Sequence, residues 1–128
     1  MVSAVTKGIE ICVSSVFEPG FSKPEEGHYV FSYQVKIHNE GTSNVQLLKR
    51  YWNVTDSDGT SHIVEGEGVV GQQPIIQSGE FHEYQSGTYF KTAIGKMNGF
   101  YTFKNLETEE VFEAEIPEFQ MVAPFVLN

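Results

Sequence analysis

Cysteine is nearly missing from this chain: Cys12 stands alone, so no disulfide can close within it. Positive charge is scarce too, with eight Lys and Arg against seventeen Asp and Glu and a formal charge of −9. The basic residues are scattered, and only Lys49 and Arg50 are adjacent. Neutralising phosphates requires clustered cations, so neither nucleic acid nor an anionic membrane surface is expected as a direct partner. A cation or a basic protein surface suits the charge better. Long apolar runs are also lacking. The longest, "MVAPFVL" (121–127), contains Pro124 and falls far short of the ~20 residues a membrane helix needs. Membrane insertion, and with it a role as channel or pump, is therefore not expected. "MVSAVTKGIE" at the start has no apolar signal-peptide core, and these features together point to the cytoplasm. No stretch holds a helical period over the roughly eleven residues that identify an amphipathic helix. Low-complexity segments, linkers and internal repeats are missing as well.

What is present is a period of two. In "HYVFSYQVKIHNE" (28–40), Phe31, Tyr33, Val35 and Ile37 alternate with Ser32, Gln34, Lys36 and His38, the pattern of a half-buried strand. Ile9, Ile11 and Val13 alternate in the same way within 7–17, leaving Cys12 on the more polar face or against another surface. "VFEAEIPEF" (111–119) sets Phe112, Ala114 and Ile116 against Glu113 and Glu115. Pro117 cannot donate to a ladder, so that strand ends there or lies at a sheet edge. "VQLLKRYWNVT" (45–55) runs through the turn "DSDG" into "TSHIVEGEG", a hairpin signal. "QSGE" (77–80) turns into "FHEYQSGTYF", and "KMNGFYTF" (96–103) pairs with 111–117 across "NLETEE". About seven strands with closely spaced turns predict an all-β sandwich. A length of 128 residues suits a single domain over 1–128, and folding one this size hides roughly two-thirds of its unfolded surface. Trp52 and the inward residues of 31–37 and 112–116 are the expected core.

"GEGVVG" (66–71) has the letters of a dinucleotide fingerprint, G-x-G-x-x-G. That loop works by joining a strand to a helix whose terminal amides face a pyrophosphate. Here Gln72, Gln73 and Pro74 follow, and Gly79 and Gly87 interrupt any long helix. The Gly-Lys-Ser/Thr ending of a P-loop is missing too. Two readings stay open: Gly66, Gly68 and Gly71 serve backbone geometry, or the bend's amides form a concave nest for an anion or a peptide. Glu65 and Glu67 oppose an anion there.

Chemistry-bearing residues do not assemble along the chain. His28 and His38 are ten apart on one strand, and His62 and Glu65 point to opposite faces of another. No H-x-H, HExxH or paired-cysteine pattern occurs, so no metal ligand set and no cofactor are expected, although a site assembled by the fold stays open. "DSDG" lacks the spaced oxygen ligands of a calcium loop. No nucleophile elbow is present, and Cys12 sits among β-branched residues, so no catalytic residue is expected.

"VQLLKRYWNVTDSDG", "VEGEGVVGQQPII", "SGEFHEYQSG", "GKMNGFYTF" and "EIPEF" together resemble the bacterial ApaG family, in order and spacing, from the strand at 9–16 to Phe119. The resemblance implies an immunoglobulin-like, fibronectin type III-like β-sandwich of about seven to eight strands. It also implies an association with cobalt resistance and magnesium efflux, without an assigned reaction. Similar domains in larger eukaryotic proteins look like protein-interaction modules. The family motif falls on Arg50, Tyr51, Trp52, Gly66, Glu67, Gly68, Gly71, Gln73 and Pro74. Trp52 is assigned to the core. Arg50 and Tyr51 are expected near the glycine bend as a cationic and aromatic contact pair, with Arg50 simply pairing with a glutamate as the competing reading. The expectation is a non-catalytic module that recognises another protein, one route being strand addition at a sheet edge. Pairing of two chains through such edges stays open. The alternative function is binding of phosphate, pyrophosphate or a divalent cation at the glycine bend.

Overall fold

The computed structural model describes residues 1–127, and nine strands account for most of them. They are β1 (Val2–Thr6), β2 (Ile9–Phe17), β3 (Tyr29–Asn39), β4 (Val45–Asp56), β5 (Ser61–Glu67), β6 (Ile75–Ile76), β7 (Phe81–Phe90), β8 (Ile94–Asn105) and β9 (Val111–Val122). No α-helix occurs among the described residues, only short 3₁₀ turns such as Pro19–Phe21 and Pro24–Glu26. One antiparallel sheet runs in the order β1-β2-β3-β7 and the other β5-β4-β8-β9, with β6 also pairing with β4. The expected sandwich is there, with more strands than the periodicity marked. β6, two residues long, is too short to show a period. β1 alternates only weakly, because it is an edge strand with most of its side chains exposed.

The alternation read from the sequence is the alternation of the core. Ile9, Ile11 and Val13 on β2 and Phe31, Val35 and Ile37 on β3 are buried, facing Trp52, Tyr101, Phe103, Ala114 and Ile116 of the other sheet. Trp52 sits at the centre. Its ring meets those of Tyr33, Phe119 and Tyr101 edge-on, with centroids 5.5, 5.9 and 6.1 Å away. Edge-to-face contact suits the ring quadrupoles and adds to the burial energy.

Two strands change phase partway, and a bulge absorbs each change. Along β4 the buried positions are Val45 and Leu47, then Trp52, Val54 and Asp56, and the register slips between Leu47 and Lys49. An extra residue, Leu48, carries the slip. Along β9 the buried set passes from Phe112, Ala114 and Ile116 to Phe119 and Met121, with a slip opposite Met97 and Gly99. Pro117 lies in that bulge, on a strand at the end of its sheet, and β9 continues past it to Val122. The edge position therefore tolerates the missing donor.

The two flanks of the sandwich differ. On one, β9 leans on β1 and β2, the Glu115 amide donates to Thr6 Oγ1 (3.1 Å), and Lys7 pairs with Glu110 (3.0 Å). On the other, β5 and β7 end their sheets without bonding to one another. Between them runs a cleft of about 270 Å³ lined by Ser61, His62, Tyr89 and Phe90 among others.

Candidate functional site

Leu48, the extra residue of β4, explains the glycine bend. Its bulge marks where the neighbouring strand changes from β5, paired with Lys49 to Thr55, to β6, paired with Val45 and Gln46. The chain must leave the sheet after Glu67 and return by Ile75. It does so in a loop tied back to β4: the Leu48 carbonyl accepts from the Gly68 amide (2.8 Å) and from Gln73 Nε2 (2.9 Å). The Leu47 amide donates to the Pro74 carbonyl (3.0 Å). At the tip, Val69 and Gln72 exchange backbone hydrogen bonds of 2.8 and 3.0 Å around Val70 and Gly71, both with positive φ.

Arg50 locks this loop. Its Nη1 donates to the carbonyls of Glu67 (3.0 Å) and Gly68 (3.1 Å). Gly66 faces Arg50 across the ladder, and guanidinium atoms lie 3.1 to 3.3 Å from where a Gly66 Cβ would stand. Gly68 has φ +66, and a Cβ there would collide with the Gln72 carbonyl. These glycines thus serve close approach and backbone geometry. The Gly68, Val69 and Gln72 amides are already spent on carbonyls, and Arg50 spends its Nη1 on two more.

The bend therefore brings together Arg50, Gly66, Gly68, Gln73 and Pro74, with Gly71 at its tip and the Glu67 carbonyl under the guanidinium. Arg50 and Tyr51 line one depression beside Gly66 and Glu67, with their side chains leaving β4 in opposite directions. Neighbours on a strand point oppositely; Arg50 shares the parity of Trp52 and reaches the loop's carbonyls. No ion pair joins it to a glutamate among the described residues. Tyr51 lies on the outer face, stacked on Phe100 with centroids 4.8 Å apart and rings 8° from parallel. Flanking that stack are two open depressions. One, of about 410 Å³, is lined by Lys49, Glu65 and Thr102 among others; the other, of about 660 Å³, by Asn53, Ile63, Asn98 and Glu115 among others. Phe100 was missed in the sequence because it falls on the polar parity of its strand, and only the register puts it opposite Tyr51.

Between the sheets, near Arg50, the Tyr84 and Tyr101 hydroxyls are hydrogen bonded to each other. Burial is the main cause that pushes both phenols well above their ordinary range, and it raises Tyr33 as well. On the outer face of the other sheet, cross-strand pairing places Glu10 beside His38, and Glu40 joins them. One ligand atom from each lies within 4.8 Å of the others, the one grouping of three such residues among those described. Along the sequence His38 compares only with His28, ten residues away on one strand. Strand parity turns Glu10 and His38 outward, but their meeting depends on the β2–β3 register. Burial raises the neighbouring Cys12 thiol, and the Glu10 carboxylate adds to the effect.

An ApaG domain family model matches residues 19–105. The protein ApaG of Brucella canis is 44% identical over 124 residues, covering 97% of this chain and 95% of that one. The protein ApaG of Parvibaculum lavamentivorans is 42% identical over the same length. Among solved structures, the ApaA protein of Bordetella pertussis superposes with a TM-score of 0.88 at 39% identity, covering 91% of this chain and 94% of that one. A protein from Archaeoglobus fulgidus, 6% identical, superposes at 0.56 over 87% of this chain and 94% of its own, which is likeness of fold alone.

Proposed function

The chain belongs to the ApaG family, and on that premise we propose that it is a non-catalytic, cytoplasmic module that recognises another protein through the outer face of its five-stranded sheet. The observation that carries this reading is the Tyr51–Phe100 stack, two flat rings held parallel on a mostly polar sheet face between open depressions. Rigid aromatic side chains bury large areas at little cost in conformational entropy, which is why they anchor protein interfaces. The tip of the glycine bend adds an exposed apolar point at Val70. Its left-handed backbone is unfavourable for a β-branched residue, and such strain concentrates at working surfaces.

The test is paired capture with the wild-type chain and a Tyr51→Ala/Phe100→Ala variant, each shown to be folded. Every protein recovered with the wild type alone is then purified and titrated against both. The reading expects at least one purified partner to bind the wild type and lose about tenfold or more in the variant, the scale of a hot-spot truncation. Equal binding by both forms overturns it.

A link to divalent-cation homeostasis has its own support in the Glu10, His38 and Glu40 grouping, because imidazole and carboxylate together suit first-row divalent ions. In this second reading a cation binds there, away from the glycine bend. Calorimetry with Co²⁺ and Mg²⁺ tests it. Saturable Co²⁺ binding abolished by His38→Ala supports the reading, and heat unchanged by that substitution refutes it.

A further inference from the structure

β5 offers more uncovered surface than its neighbours. It bonds only to β4, and Ile63 on its outer face is 54% exposed. Val64, on the inner face, is 40% exposed, because the opposing sheet ends at β7 and does not cover it. The direction of its main-chain groups follows from the ladder. The Asp56 amide donates to the Thr60 carbonyl and the Gly68 amide to that of Leu48. Between these points the register runs without a slip from Thr55–Ser61 to Lys49–Glu67. Antiparallel pairs alternate between bonded and non-bonded, so the even-numbered residues of β5 bond to β4. The N–H and C=O groups of Ser61, Ile63 and Glu65 face the open edge, as does the Glu67 N–H, while the Glu67 C=O is taken by Arg50 Nη1.

Resting on the interaction reading above, we propose that β5 receives an extended basic segment of a partner protein, added antiparallel to it as a further strand. Lys or Arg in that segment would stand opposite Glu65 and Glu67, and β-branched residues beside Ile63 and Val64. Charge selects this occupant. A second copy of the chain would bring another −9 against the first, and its own Glu65 and Glu67 with it, whereas a basic strand meets both carboxylates favourably. Main-chain bonds to Ser61, Ile63, Glu65 and the Glu67 N–H supply affinity, and the alternating side chains supply specificity. The edge of β7 is a poorer site, because Phe90 on its inner face is already covered.

The experiment titrates the isotope-labelled chain, followed by its amide resonances, with two end-blocked peptides, KVRVTVT and its charge-reversed form EVEVTVT. The basic peptide is expected to move the Ser61–Glu67 amides, give cross-strand contacts to β5, and bind at least about tenfold more tightly than the acidic one. Raising salt from about 0.15 to about 0.5 M should weaken it. Glu65→Pro removes one open-edge donor while leaving the β4–β5 bonds in place, and should lower affinity about tenfold, on the scale of one main-chain hydrogen bond. A Glu65→Lys/Glu67→Lys form, which keeps the backbone donor, should come to prefer the acidic peptide. No binding, equal binding of the two peptides, or shifts confined to other strands overturns the proposal. So does sedimentation of the free chain as a dimer that Glu65→Pro dissociates, which would assign the edge to a second copy. Failure here with Tyr51-dependent partner binding intact removes the edge and leaves the interaction reading standing.

Discussion

Val70 occupies the first central position of the turn at the tip of the glycine bend, with φ 47, and Gly71 follows with φ 77. Two consecutive left-handed residues are the geometry for which Asn-Gly is preferred, and a valine there is strained by about 1–2 kcal/mol. Val70→Asn is therefore expected to stabilise the fold by about 1 kcal/mol, read as a rise in the chemical denaturation midpoint at unchanged slope. If that variant also weakens partner binding, the strain is being maintained for contact. Arg50 makes the opposite case. Its guanidinium reaches two carbonyls from one nitrogen and lies flat over Gly66, and an ammonium cannot reproduce that shape. Arg50→Lys should cost about 1–2 kcal/mol in the same measurement, and the loop amides from Glu67 to Gln73 should exchange faster with solvent.

At the scale of the strand, the bulge at Leu48 decides which face each later residue of β4 presents. Deleting Leu48 would remove the bulge and leave Leu47, Trp52 and Val54 all inward, because Leu47, Lys49, Arg50, Tyr51 and Trp52 would then alternate against β8 without a slip. The deletion variant is therefore expected to keep a cooperative unfolding transition, destabilised by about 1–3 kcal/mol through loss of the Leu48 carbonyl that anchors Gly68 and Gln73. Trp52→Ala keeps the register and should cost about 3–5 kcal/mol. The same bulge explains what the sequence made legible. Uniform alternation in β2, β3 and the first half of β9 was enough to assign their core faces, and the turn at "DSDG" was enough to pair β4 with β5. In "VQLLKRYW" the phase breaks, and a break does not say which residue is extra. Which face Arg50 and Tyr51 each present depends on that choice: their side chains leave β4 oppositely, while both residues line the depression beside Gly66. Phe100 with Tyr51, and Glu10 with His38, depend on cross-strand register, which no single strand's pattern contains.

Across the whole molecule, the interior and the edges respond to pH in opposite ranges. Tyr33, Tyr84 and Tyr101 are all raised, mainly by burial. The unfolded chain therefore loses phenolic protons near pH 10 while the folded chain still holds them. Stability carried by these neutral phenols is complete below that pH and declines as pH rises through it. A Tyr84→Phe/Tyr101→Phe form, which removes both partners of the buried hydroxyl pair, should show a shallower alkaline decline. At the acid end, net charge is what separates molecules. β5 and β7 keep unpaired edges on one flank, with Ile63, Phe81 and Tyr89 exposed on them, and open apolar edges invite strand-to-strand association. At pH 7 the charge of −9 opposes this. Near the isoelectric point, about 4.8, that repulsion vanishes. Light scattering is accordingly expected to report a single small species at pH 7 and growing particles as pH falls towards 4.8. Ile63→Lys should suppress that growth, since a lysine on an edge strand blocks pairing and adds charge. Growth of equal extent in wild type and variant would assign the association to a surface other than β5.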